Sequence, residues 1–160
     1  MKKHEGIPVP PLAMAAAGMA QRFMPKGRKA RRLRRVAATS LAAGSGALVL
    51  AALGAFARHG TTLDPTDPGK ASVLVTGGSN RISRNPMYVG LAGLLLAHAV
   101  DRGSWQEWLP VAGFVVAIDR YQIAREEQAL SGRFGEEYLR YCARTPRWLG
   151  RRSLDVIRGR

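Results

Sequence analysis

The chain alternates between uncharged apolar runs and short arginine-rich segments, and the runs set the elements. Residues 36–57 carry no charge and give about 33 Å of helix at the usual rise, enough to cross a hydrocarbon core. Residues 87–100 and 105–118 are two further runs, joined by Asp101-Arg102-Gly103-Ser104. Four residues can reverse a helix but cannot cross a membrane, so the pattern predicts a tight antiparallel hairpin. A shorter apolar stretch over 11–23 predicts a first membrane helix. The basic start Met1-Lys2-Lys3, with small residues over 15–20, also fits a cleaved leader. Gly132 reads as a helix break. Beyond it, Phe134, Tyr138 and Tyr141 are spaced to share one face of a terminal amphipathic helix over 134–143, stopped by Pro146. Residues 151–160 read as a loose basic tail.

Between these elements, residues 58–83 are rich in turn formers. Asp64-Pro65 and Asp67-Pro68-Gly69 predict turns, residues 72–76 a brief extended patch, and Gly77-Gly78-Ser79-Asn80 a flexible bend. Small residues recur at Ala43, Ala47, Ala51 and Ala55, and again at Gly90, Gly93 and Ala97, and such rows let helices approach closely in lipid. Trp105 and Trp108 fall at the hairpin turn, as interfacial tryptophans do. The expected architecture is therefore all-α: a helical integral membrane bundle of about four membrane helices with a C-terminal amphipathic helix. It forms one domain over 1–160, with the motif-bearing half at 58–148 and a basic tail over 149–160.

Composition changes that picture in one respect. The net charge of +14 suggests nucleic acid in a soluble protein, but here the basic clusters flank apolar runs, where membrane proteins keep lysine and arginine. The expected partner is the lipid bilayer, and nucleic acid is set aside. Cys142 is the single cysteine, so no disulfide or cysteine-rich metal site is available, and His4, His59 and His98 lack a ligand spacing. The face bearing the hairpin ends and both termini holds the larger share of lysine and arginine, which directs it to the cytoplasm.

The hairpin has a chemical consequence. It sets the start of its first helix, marked by Asn85-Pro86, beside Glu126-Glu127 at the end of its second. Proline pushes the preceding residue out of helical dihedrals, and asparagine there can cap the first turn. A helix N-terminus facing carboxylates suits a ligand with an anionic group at one end and an ammonium, a hydroxyl or a positive sulfur at the other. Adjacent helical residues point about 100° apart, so one glutamate is expected to face the ligand, Glu126 by choice and Glu127 as the alternate. Arg84 is placed to hold a carboxylate or a lipid headgroup. No general base is evident, and the catalytic residues stay unassigned.

Four ordered motifs carry a resemblance. Leu74-Val75-Thr76-Gly77-Gly78, then Arg84-Asn85-Pro86-Met87-Tyr88-Val89-Gly90, then Glu126-Glu127, then Phe134-Gly135-Glu136-Glu137-Tyr138 with Tyr141, together resemble the isoprenylcysteine carboxyl methyltransferase-like family and its phospholipid methyltransferase relatives. The resemblance covers about residues 60–148. It implies a multi-pass membrane methyltransferase, its site facing the cytoplasm, that uses S-adenosylmethionine to methylate a lipophilic acceptor, and the alanine- and arginine-rich composition points to a bacterial inner membrane. The implied cofactor-binding positions are Ser72, Val75, Asn80, Asn85, Pro86, Met87, Tyr88 and Glu126, with Val73 and Leu74 on the same stretch. The implied substrate-binding positions are Gln122, where the eukaryotic enzymes carry arginine, and Arg125. Those enzymes also have histidine at Asn85 and tyrosine at Asn80. The competing expectation is a membrane scaffold that keeps the fold without catalysis.

Overall fold

The structure is a computed structural model, and it describes residues 9–27, 32–60 and 72–159. The expected turns at Asp64-Pro65 and Asp67-Pro68-Gly69 lie outside the described residues. The described residues are helical with no strand. Helices α1 (Val9–Phe23) and α2 (Arg32–Arg58) come first, followed by a 3-10 turn at Gly78–Arg81. The expected extended patch over 72–76 pairs with nothing in a sheet. Helix α3 (Pro86–Arg102) leads through a second 3-10 turn (Trp105–Glu107) into α4 (Trp108–Ala117). A π-helical segment (Ile118–Ile123) joins α4 to α5 (Ala124–Arg144), and α6 (Arg151–Ile157) follows.

The hairpin forms as the pattern predicts. Helix α3 ends on Gly103, whose left-handed backbone (φ 70°) lets its N–H donate to the Ala99 carbonyl and closes the helix. Trp105 and Trp108 flank the turn, 70% and 52% exposed. A polar latch ties this end to the N-terminal region. Gln21, fully buried, donates its amide to the carbonyls of Leu95 (3.0 Å) and Glu107 (3.2 Å). Arg102 pairs with the buried Glu107 and also reaches the Met24 carbonyl, while the Gly27 N–H donates to the Arg102 carbonyl at 3.0 Å.

Helices α2 and α3 run antiparallel in close contact. A Cβ on Gly93 would stand 2.1 Å from the Ser45 hydroxyl oxygen, and one on Gly90 would stand 2.6 Å from a Val49 methyl and 2.8 Å from the Ser45 carbonyl oxygen. The glycine face of α3 is thus the packing face expected of it. The alanine row of α2 is not. Ala43, Ala47 and Ala51 are exposed, and the buried positions are Ala38, Ser45, Ala52 and Ala55. Spacings of seven, seven and three follow a nearly straight seam along the helix, whereas a spacing of four drifts off it. The core on the other side of α3 gathers Ala17, Tyr88, Leu95, Phe114, Ile118 and Ile123. The expected span count is borne out for one helix. Among the described residues one helix, Arg32–Arg58, is both long and apolar enough to cross a membrane, so four spans are not established.

Two other expectations shift. The expected helix break falls at Gly135 rather than Gly132. Two helical segments within Ala124–Arg144 meet there at a kink (φ 49°, ψ −123°), a conformation that glycine tolerates. Residues 151–157 form α6 rather than a loose tail, capped where the Gly150 N–H donates to the Ser153 hydroxyl oxygen at 3.0 Å.

The α2–α3 contact yields a direct test. Gly93→Val should lower the unfolding temperature of the detergent-purified protein, with a cost of about 1–3 kcal/mol from overpacking. Gly46→Ala, where no atom lies within 4 Å of the added methyl, should be neutral or mildly stabilising.

Candidate functional site

The site is built where the start of α3 meets the π segment and the start of α5. The π turn inserts one extra residue per turn and so rotates everything beyond it by roughly 100° relative to a straight α-helix. In that register Gln122 and Glu126, one helical turn apart, both face α3. The Tyr88 hydroxyl donates to Glu126 Oε1 at 2.6 Å, and the Gln122 amide donates to the same oxygen at 2.7 Å. Tyr88 is 3% exposed and Gln122 1%. Burial pushes the Glu126 carboxyl above its ordinary range, against the lowering effect of these two neutral donors, and the neighbouring Glu127 charge adds to the rise.

Glu127 points elsewhere, as the helical rotation requires. Arg84 Nη2 donates to its Oε1 at 2.7 Å, and Arg147 Nε donates to the same oxygen at 3.1 Å while Nη2 takes Oε2. Burial alone would raise this carboxyl, but the two guanidiniums outweigh it and hold Glu127 below its ordinary range. Arg147 also donates to Asp119 Oδ1 at 3.2 Å, and the Trp148 indole N–H donates to the same oxygen at 2.8 Å.

Residues 145–148 therefore lie across the mouth of the hairpin, held by the loop that precedes α3. The Arg84 N–H donates to the Pro146 carbonyl at 2.9 Å, and its guanidinium reaches the carbonyls of Thr145 (3.1 Å) and Cys142 (3.3 Å). The Arg147 carbonyl accepts from the Ser83 hydroxyl (2.9 Å) and the Asn85 amide (3.0 Å). Two expectations change here. Asn85 makes no side-chain cap on α3, and its amide nitrogen donates to the Arg147 carbonyl instead. Arg84, expected at a ligand carboxylate or a headgroup, turns its Nη1 and Nη2 to Glu127 and to the carbonyls of Thr145 and Cys142, and its buried Nε has no hydrogen-bond partner among the described residues.

The remaining predicted positions divide. Asn80 is buried, donating its amide to the Val75 carbonyl at 2.9 Å, while its own carbonyl accepts from the Tyr141 hydroxyl at 2.7 Å. These contacts fix the loop upstream of α3 onto α5, beside the edge-to-face pair of Tyr138 and Tyr141. Pro86 is buried and Met87 packs against the core. Ser72, Val73 and Arg125 are exposed, Arg125 on the outer side of α5. Asp119, Arg147 and Trp148 were missed. Their only sequence signal is a charge and an aromatic beside Pro146, which gives no hint that the chain folds back across the hairpin.

A family model described as phospholipid methyltransferase matches residues 33–137. An uncharacterized protein of Haemophilus influenzae is 44% identical over 63 residues, covering 39% of this chain and 100% of that protein. No solved structure matches.

The Glu127 network sets a pH dependence. Its folded value is depressed, so the stabilisation is complete above the ordinary carboxylate value of 4.5 and is lost as pH falls through the lower folded value. Arg147→Met should cost about 1–3 kcal/mol at neutral pH. Its unfolding temperature should also fall less steeply than the parent's on acidification, as thermal scans across that range would show.

Proposed function

Since this chain belongs to the phospholipid methyltransferase family, we propose that it is a membrane methyltransferase that takes its methyl group from S-adenosylmethionine and passes it to a lipophilic acceptor. The observation that carries the reading is the pairing of Tyr88 with Glu126, which joins two of the four motifs of the resemblance at one carboxylate. The donor set suits the cofactor. Glu126 keeps a carboxylate with only neutral partners, fit to receive a ribose hydroxyl or the methionyl ammonium by charge-assisted bonds. Asn85, Pro86, Met87 and Tyr88 would line one wall, with Val75 and Asn80 holding the loop beside it, Ser72 at its outer edge, and Gln122 orienting Glu126. When bound, the cofactor supplies an electrophilic methyl on a sulfonium, which leaves as a neutral thioether.

The residues' task is then positioning and exclusion of water rather than proton transfer. Tyr88 and Gln122 fix the Glu126 rotamer. The Arg84–Glu127–Arg147 network holds residues 145–148 over the site and keeps bulk water from it. A lipophilic acceptor is supported by an apolar groove of about 620 Å³ between α2, α3 and α4, lined among others by Leu48, Val89, Leu96, Val115 and Trp148. That volume lies within the range of roughly 300–1,000 Å³ usual for small-molecule sites. Helix α2, free of charge over 36–57, forms one wall of the groove, so an apolar chain in the surrounding lipid can reach it. Arg125, exposed on α5, would meet an acceptor headgroup.

Substitution at Glu126 separates fold from function. Glu126→Gln keeps an oxygen that can accept from Tyr88 and Gln122, and it removes a charge whose burial is unfavourable. Its unfolding temperature at neutral pH should equal or exceed the parent's. Its affinity for S-adenosylmethionine, measured by titration of the detergent-purified protein, should fall at least roughly tenfold with the loss of charge-assisted bonds. Unchanged affinity in Glu126→Gln and Glu126→Ala alike would remove Glu126 from the site.

A further inference from the structure

Helix α6 divides cleanly around its axis. Ser153, Leu154, Val156 and Ile157 occupy one arc, and Arg151, Arg152, Asp155 and Arg158 the other. Ser153 is 1% exposed, and its hydroxyl donates to the Ile82 carbonyl at 2.6 Å, which docks one edge of the apolar arc on the loop before α3. The other edge is bare. Leu154 and Ile157 are 50% and 63% exposed, with Leu149 beside them at 60%. The height of α6 is set by its neighbours. Leu149, two residues ahead of Arg151, lines the apolar groove between α2, α3 and α4. Ile82 stands four residues before the first residue of α3. Helix α6 is therefore level with the N-terminus of α3, where apolar helix surface gives way to arginine-bearing segments.

We propose that α6 is an interfacial foot that binds the anionic headgroups of a bilayer. Leu154 and Ile157 enter the acyl boundary, and Arg151, Arg152 and Arg158 meet headgroup phosphates. The charge complementarity is one-sided, since Asp155 is the only acid on the helix and Arg152 reaches across to the Ala143 carbonyl without neutralisation. Amphipathic segments of this composition lie in the interface plane and gain both from apolar burial and from anionic lipid. The proposal rests on the reading that α2 and α3 sit in a bilayer, but it needs neither cofactor nor acceptor. It also carries a consequence for the site. The foot grips Ile82, and Ser83, Arg84 and Asn85 follow directly, so ordering α6 orders the segment that clasps residues 145–147.

The test uses the full chain in nanodiscs of phosphatidylcholine alone, or of equal parts phosphatidylcholine and phosphatidylglycerol. Amide hydrogen exchange over 149–158 is followed by mass spectrometry. An arginine near an anionic surface is worth about a fivefold preference, so three supply up to roughly a hundredfold. Exchange in this segment should be at least about tenfold slower in the anionic discs, and the difference should shrink as salt is raised. In the triple variant Arg151→Gln, Arg152→Gln, Arg158→Gln the difference should vanish while exchange in α3 is unchanged, which shows that the fold is kept. Equal exchange in the two kinds of disc would overturn the proposal, as would a difference that survives the triple variant. A failed S-adenosylmethionine titration bears only on the methyl-donor reading, because the exchange experiment contains no cofactor.

Discussion

Two carboxylates side by side on one helix cannot share a crevice of low dielectric unless each has its own donors, and that requirement shapes this end of the molecule. Glu126 and Glu127 diverge by about 100° around α5, so they draw on different neighbours. Glu127 takes two guanidiniums, from Arg84 and Arg147, and its charge is largely cancelled at short range. Glu126 takes a phenol and an amide, which satisfy its oxygen without neutralising it. The pairing of Glu127 is what makes the burial of Glu126 tolerable, because an uncompensated neighbouring charge would push its carboxyl higher still. Glu127 is thus an ion-paired structural carboxylate, whereas the hydrogen-bonded oxygen of Glu126 meets neutral donors.

Bringing the donors into place depends on contacts far from the carboxylates. The close approach of Gly90 and Gly93 to Ser45 fixes the height of α3 against α2. The latch of Gln21, Arg102 and Glu107 fixes the far end of the hairpin, so α3 cannot slide along α4. With both held, Tyr88 has one level at which to meet the second arm of the helical hairpin, and the π segment turns Gln122 and Glu126 toward it. The C-terminal crossing completes the arrangement. The family match ends at residue 137, yet Arg147 touches Glu127 and Asp119 while its carbonyl holds Ser83 and Asn85. Such a network is worth more than the sum of its pairs, because each member restrains the partners of the next.

Much of this was legible in the sequence for identifiable reasons. Length without charge marks α2, a four-residue bend marks the hairpin, and Asn85-Pro86 marks the start of α3. The nearness of Tyr88 to Glu126 follows from the hairpin alone. The failures also have physical causes. Alanine rows at four-residue spacing suit several helix faces, and which one is buried depends on the partner, so Ser45 and Ala52 were not foreseen. Gly132 and Gly135 are equivalent as residues, and only the path of α5 across the loop decides which one adopts the non-helical conformation. A π turn leaves no compositional trace. Helix α6 is short and arginine-rich, and Ser153, which docks it, has its partner Ile82 71 residues away. Arg147 and Trp148 were invisible because their importance lies in where the chain returns, not in what they are.

The position of Trp148 joins the two halves of the functional reading. Its indole N–H is spent on Asp119 within the polar network, while the residue lines the apolar groove together with Val89 and Val115. Val89 in turn adjoins Tyr88, whose hydroxyl meets Glu126. The boundary between charge and hydrocarbon thus runs through a single side chain, and Tyr88, the donor to Glu126, is one residue from Val89 along α3. A molecule with a reactive polar head and an apolar tail matches such a seam from both sides, and a wholly polar acceptor would leave the groove without a role. The groove borders α2, the one described helix with the length and apolarity to cross a bilayer, so on the proposed reading an acceptor's apolar tail and the surrounding lipid would meet the same surface.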